Sequence, residues 1–545
     1  MLTSMRFLTN LSLVITLNAT VVLAQAPEME HHHHHEDEKA LGTVEFSTSC
    51  SPHAQEEMRH GVALLHSFGY ASAQMQFDHI AKDDPSCAMA HWGVAMTQYK
   101  ELWGRPSEEE MKLGREAMAR ARSAENAATT AREKAYIDAL STFFEPEKED
   151  FQKRAEAYTA KMDALHAAYP EDVEAAAFDA LALIASVAPE DTSLTRERKA
   201  LAILVPLFAA HPDHPGLAHY IIHTCDTPAL AADGLGAARE YAKIAPASAH
   251  ALHMPSHIFA RMGMWQEDIA SNLASVAASE KAEAEHQPGS AHQMHAKEFL
   301  IYAYLQTGQD EKAHELAAAM RGVGDHMMAM PGMDDMKDSG HFFDNEVVAI
   351  DAMERHDWKA LAALRPAPGS EGTQPVHIYW GWGVAAGHLH DKKLAKTALK
   401  QMDAMLKAMK NESYAHALRT IKRQELVAWK EYTEKHAEKA VEAMRMAADE
   451  QDKLGQEEVD IPAREMLGDL LMMENKPEEA LKEYRVALKL SPNRLNGLLS
   501  AGAAAEKLKL TDEVRGFYRA AAQQTENGTH SQRPEVKHAV EVAGM

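Results

Sequence analysis

The sequence predicts an all-α chain, a right-handed superhelical solenoid of about nine helical hairpins. Three observations predict it. Apolar and small residues recur at three- and four-residue steps from about residue 53 onward, and strand-like alternation is absent. Glycine, alanine, aromatic and proline residues return at fixed offsets with a repeat of 34 residues. The 545 residues, only 6% of them aromatic, exceed the roughly 250–300 at which one core stops growing. An extended array with local contacts and small residues between its helices satisfies all three.

The clearest unit runs from Ile461 to Arg494 and carries Leu467, Gly468, Ala480, Tyr484, Ala487 and Pro492. One period later stand Gly502, Tyr518 and Ala521. These offsets are the tetratricopeptide (TPR) signature. Small residues at Gly468 and Ala480 let two helices of a hairpin approach closely. Tyr484 and Leu467 are expected to fill the space between neighbouring hairpins, and Pro492 to begin the next turn. Upstream, Gly61, Ala73, Phe77 and Pro85 keep the same spacings. Leu300, Tyr304, Gly308 and Ala313 form another unit, and Gly383 with Ala395 a further one. Pro170, Pro212 and Pro246 close intermediate hairpins.

The ends read differently. Residues 1–26 have the pattern of a secretory signal: Arg6, a mostly apolar run from Phe7 to Ala24, then Ala24-Gln25-Ala26. Asn10 and Asn18 interrupt the run, so cleavage is expected rather than a membrane span. Residues 27–49 form a flexible acidic segment with His31 to His35, which have no apolar neighbours to fold them. The array is then expected over 50–321 and 343–528. A Met-rich loop at 322–342 (Met327, Met328, Met330, Met333, Met336) separates the halves, and 529–545 is a tail. No later stretch has the ~18 apolar residues of a membrane helix. The expected location is therefore periplasmic or secreted.

Composition narrows the partners. A formal net charge of −25 argues against nucleic acid, whose phosphates are met by Lys and Arg. Of three cysteines, Cys50 precedes one expected helix and Cys87 follows the next, so both fall at one end of an antiparallel hairpin. A disulfide there suits an oxidising compartment. Cys225 reads as a small core residue.

With Leu64-Leu65-His66-Ser67-Phe68, Cys87-Ala88-Met89-Ala90-His91-Trp92-Gly93, the run from His250 to Phe259, and Pro492-Asn493-Arg494, the chain resembles a family of secreted bacterial TPR proteins. The resemblance implies the fold, export, and binding of a protein or peptide partner in a concave groove. It brings no catalytic residues.

The histidines are concentrated. Seven of the 47 residues from His211 to His257 are histidine, against 32 in the whole chain, so chance placement is a poor account. His219 and His223 are four apart and share one helix face. His253 and His257 repeat the pair 34 residues later. By TPR register, His250, His253 and His257 face the groove, and His295, Glu298 and Tyr302 extend that surface. His377 and Trp380 continue the line.

Three readings stand beside one another. The histidines are ordinary packed or solvated residues; or they line a polar groove that recognises a peptide or small ligand; or they hold a metal. His219, His223, His253 and His257 are the ligands in the third reading, with zinc or copper as the fitting ions. The groove reading leads, and the alternative is a metal-binding protein or metal-dependent hydrolase. No motif requires a cofactor. Nor is there a Gly-x-Ser-x-Gly elbow, a Walker loop, a Cys-x-x-Cys or a zinc-protease helix, so no catalytic residue is assigned.

Overall fold

Short polar residues write the helix starts. Ser107 with Glu110, and Thr130 with Glu133, form reciprocal capping boxes. Asp150, Asp172, Asp357 and Asp391 each accept a backbone N–H of the first turn. The computed structural model describes residues 40–102, 105–145, 149–188, 191–285, 292–324, 337–409 and 414–544. Residues 1–26, His31 to His35 and the methionines from Met327 to Met336 lie outside the described residues.

The first helices are α1 (Pro52–His66), α2 (Tyr70–Asp83), α3 (Ala88–Tyr99), α4 (Glu108–Ala124), α5 (Ala131–Phe144), α6 (Phe151–Ala168), α7 (Val173–Ala185) and α8 (Thr195–Ala210). Next come α9 (Pro215–Cys225), α10 (Ala231–Ile244), α11 (Ala249–His253), α12 (Pro255–Met262), α13 (Trp265–Ala284), α14 (His292–Gln306) and α15 (Asp310–Met320). Then follow α16 (Lys337–Glu354), α17 (Trp358–Ala363), α18 (Val376–Leu389), α19 (Lys392–Ala408), α20 (Tyr414–Thr433) and α21 (Ala437–Leu454). The last are α22 (Ala463–Met473), α23 (Pro477–Leu490), α24 (Leu495–Lys507), α25 (Thr511–Gln524) and α26 (Pro534–Ala543). Among the described residues there is no strand, and no helix is long and apolar enough to cross a membrane.

Each helix packs on its sequence neighbours as a stack of TPR-type hairpins. The repeat residues act as anticipated, with one change. A side chain at Gly61 would meet the Phe77 ring at 2.6 Å, and Gly468 and Gly502 stand equally tight against Tyr484 and Tyr518. The aromatic ring therefore covers the glycine of its own hairpin, and Phe77 also fills the space toward the next, where a side chain at Gly93 of α3 would meet it at 2.5 Å. The Tyr484 hydroxyl donates to Asp469 beside that glycine (2.7 Å).

The apolar interior forms two bodies. One runs from Leu41 to Phe259, the other from Ala260 to Ala539. The described residues nonetheless form one compact unit, and α14, α15, α16 and α18 contribute to one continuous core. Residues 40–49 do not behave as a flexible lead. Leu41, Val44 and Phe46 are buried, with Phe46 stacked on Trp92. Nor are 529–545 a free tail, because α26 buries Val536 and Ala539 and Arg533 pairs with Asp310 (2.6 Å). Cys50 and Cys87 are bonded, their Cα atoms 4.8 Å apart. Cys225 is buried, and that burial pushes its thiol up to about 12.

Contacts are not all local, and this matters for the site. The turn before α24 docks on the turn between α12 and α13: Trp265 Nε1 donates to the Asn493 carbonyl (2.8 Å), and Asn493 donates back to Gly263 (3.2 Å). Arg494 is fully buried between Glu465 (2.9 Å) and Glu354 (2.8 Å). The segment after α21 lies against α12, where Arg261 pairs with Glu458 (2.7 Å) and donates to the Gln456 carbonyl.

Candidate metal centre

Pro255 follows α11 at the first turn of α12, where its missing N–H costs nothing. The break leaves His253 as the last residue of α11 and His257 in the first turns of α12. Their Nε2 atoms stand 3.1 Å apart. His295 enters from α14, its ring centroid 4.6 Å from that of His253 and 5.5 Å from that of His257. One ring nitrogen from each of the three lies within 4.8 Å of the others.

The far nitrogens are all anchored on oxygen. His253 Nδ1–H donates to Asn272 Oδ1 (2.7 Å). The orientation of that amide is set because its Nδ2 donates to the Asp268 carbonyl (3.0 Å) and carboxylate (2.8 Å). His257 Nδ1–H donates to Asp226 (2.8 Å), and His295 Nδ1–H to Glu298 (2.8 Å). These acceptors hold a proton on each Nδ1 and turn Nε2 inward, where His253 and His257 share a hydrogen bond whose proton a bound metal ion would have to displace. This is the arrangement by which outer carboxylates and amides orient metal-ligating histidines. Four-coordinate zinc with bonds of about 2.0–2.1 Å separates its ligand atoms by roughly 3.3 Å.

A second trio sits alongside. His219 and His223 rise from α9 on one face, and His250 faces them from α11. His219 Nε2 is 3.0 Å from His250 Nε2, and one ring nitrogen of each of the three lies within 4.8 Å of the others. His219 Nδ1–H donates to the His66 carbonyl (2.6 Å). His223 Nε2 is buried with no hydrogen-bond partner. Phe68 walls this trio, its centroid 4.4 Å from His219, 5.3 Å from His223 and 5.7 Å from His250.

Electrostatics sets His257 apart from the other imidazoles whose range is shifted. Burial, reinforced by neighbouring imidazoles, holds His219, His250 and His253 well below the ordinary histidine range. Burial, with His257 adding to it, lowers His223 to about 3. His257 goes the other way: burial opposes its charge, but Asp226 and Glu458 outweigh that and raise it to about 10. Burial likewise opposes charge on Asp226, yet His257 and Arg261 hold it well below the usual carboxylate range. Asp226 and Glu458 thus balance the positive charge of His257, and a metal ion bound there would take the place of that proton.

The expected metal set of His219, His223, His253 and His257 is divided, the first two joining His250 and the last two joining His295, while Tyr302 lies apart and no open groove is formed. His219, His250, His253, Glu298 and Tyr302 are buried, and the segments around 456–460 and 492–494 lie against Arg261, Trp265 and Tyr302. Tyr302 donates to the Asp460 carbonyl (2.7 Å) and receives Arg494, so it belongs to the packing between α14 and the C-terminal hairpins. His295 is the opening, its side chain 38% exposed. His377 and Trp380 sit further along, where His377 pairs with Glu346 (3.2 Å) and Trp380 with Glu425 (2.5 Å).

The sequence reading missed Asp226, Asn272 and His292. His292 had a signal, since His292 and His295 repeat the three-residue spacing of His250 and His253; its ring centroid lies 5.1 Å from that of His250. Asp226 and Asn272 had none, being single polar residues placed by tertiary packing.

No protein-family model matches this sequence, and no curated protein matches it. Among solved structures, the human IFIT1 dimer with m7Gppp-AAAA is 12% identical at a TM-score of 0.36, covering 84% of this chain and 89% of that one. The APC/C hetero-tetramer Cut9-Hcn1 is 11% identical at 0.32, covering 90% and 96%. The P58(IPK) TPR domain is 12% identical at 0.19, covering 90% and 97%. Likenesses this distant say nothing about a ligand.

Proposed function

We propose that this chain is a metal-binding protein, with one zinc or copper ion held by His253, His257 and His295. A single observation carries the reading: three inward nitrogens converge while all three outward nitrogens are tied to Asn272, Asp226 and Glu298. Packed histidines need no such matched set of outer acceptors. A recognition groove is less well supported, since an extended peptide needs surface that these buried side chains do not offer. Three protein ligands leave a fourth position, which in zinc sites is where water or substrate binds, and exposed His295 lies on the side where it would enter. The apolar run from Phe7 to Ala24 and the Cys50–Cys87 bond support work outside the cytoplasm, in a periplasmic or secreted setting.

The test is elemental analysis of the full chain purified without immobilised metal and with His31 to His35 replaced by serine. Bound zinc or copper that falls by one equivalent in His295→Ala supports the reading. Protein that binds neither ion after equilibration with each contradicts it.

A further inference from the structure

The trio of His219, His223 and His250 is not used by the centre proposed above, and its geometry is as specific. Two inward nitrogens stand 3.0 Å apart, and the three potential ligand atoms lie within 4.8 Å of one another. The outward nitrogen of His219 is fixed by the His66 carbonyl, which leaves Nε2 as the acceptor of a hydrogen bond from His250 Nε2–H, whose proton a metal ion would replace. A second, independent observation points to a ligand: His223 Nε2 is buried and has no hydrogen-bond partner. A buried nitrogen in that state costs about 1–3 kcal/mol, so a packing role alone gives no reason to keep histidine there.

The two trios are built as a pair. His250 and His253 are three residues apart on α11, where side chains are neighbours at about 5–6 Å between Cβ atoms. On α14 the same spacing recurs, with His292 beside His250 (5.1 Å between ring centroids) and His295 beside His253 (4.6 Å). Two parallel rows of imidazoles therefore cross the same helices.

We propose that His219, His223 and His250 bind a second transition-metal ion of the imidazole-seeking class, zinc or copper, next to the first. His292 lies within reach as a further ligand. The two positions differ in surroundings. The first is backed by Asp226, Glu298 and Glu458, whereas the second is walled by Phe68 and stacked on Tyr241 (5.0 Å). It is the deeper and more apolar of the two. This inference deepens the metal-binding reading and rests on it only for the neighbouring ion.

The experiment loads the full chain, with His31 to His35 replaced by serine, with zinc, and separately with cuprous copper under reducing, oxygen-free conditions. Unbound metal is removed and equivalents per chain are counted. His223→Asn and His295→Ala are compared, since the first breaks no hydrogen bond and the second is partly exposed; circular dichroism checks their folding. The expected result with at least one of the two metals is two equivalents in the parent, one in His223→Asn and one in His295→Ala.

One equivalent in the parent, lost in His295→Ala and kept in His223→Asn, overturns the second site and leaves the first standing. Two equivalents retained in His223→Asn also overturn it, because the second ion then binds elsewhere. No metal in the parent overturns both. If His223→Asn fails to fold, anomalous diffraction from metal-loaded crystals of the parent decides: a peak among His219, His223 and His250 supports the second site, and saturated crystals with none there overturn it.

Discussion

Glu425 is a buried carboxylate whose cost can be read as a pH slope. It accepts a hydrogen bond from Trp380 Nε1 on one oxygen, and its other oxygen is buried without a hydrogen-bond partner. Burial, with Asp460 adding to it and Lys422 opposing, raises it from 4.5 to about 8. The folded chain therefore keeps this proton between those two values while the unfolded chain releases it. Stability falls as pH rises across that window, since the native state binds more protons there. A window about 3.5 pH units wide at 1.36 kcal/mol per unit sets an upper bound of about 5 kcal/mol. Glu425→Gln keeps the acceptor for Trp380 and removes the titration. Denaturation midpoints at pH 5, 7 and 9, followed by circular dichroism, compare the two proteins. The variant is expected to gain on the parent steadily from pH 5 to pH 8 and to level off above it. Glu457, raised by burial to about 7, leaves a slope in both proteins, so the difference between them is the readout. A difference that does not change with pH refutes the reasoning.

Three further outcomes follow from packing. Gly502→Ala drives a methyl into Tyr518 and should cost about 1–3 kcal/mol, whereas Gly516→Ala in the same hairpin meets open space and should stabilise by roughly 0.5–1 kcal/mol. Equal melting shifts for the two would contradict the glycine–aromatic account. Arg494→Met leaves Glu465 and Glu354 buried without their cation, a loss of roughly 3–5 kcal/mol in denaturant titration; a shift under 1 kcal/mol would show that solvent reaches them. Replacing Cys50 and Cys87 by serine opens a loop of 37 residues and should cost about 4 kcal/mol, measured against the parent under non-reducing conditions. No change on replacement would mean that the bond does not constrain the unfolded chain.

The hairpins were legible because their packing is local. Gly468 and Gly502 meet aromatic rings sixteen residues on, a spacing visible in a line of text. The histidine pairs were legible for the same reason, as a helix face repeats every three or four residues. What the text hides is closure. In an open array of this register, His253 and Tyr302 would face solvent. In the folded chain, Arg494 reaches back across about two hundred residues onto Tyr302, and His253 is enclosed by Asn272, His257, His295 and Phe299. The acceptors behind the imidazoles were hidden too. Glu298 stood three residues from His295 and could be found, but Asp226 and Asn272 come from the end of α9 and the middle of α13, with no spacing to mark them.

The central claim is that nitrogens from His253, His257 and His295 share an ion. Crystals of the full chain equilibrated with zinc or copper, measured on both sides of the metal absorption edge, test it most directly. The account predicts an anomalous difference peak about 2.0–2.1 Å from the Nε2 atoms of all three histidines. Crystals soaked at saturating metal with no peak there, or with the metal only on surface residues, would contradict it.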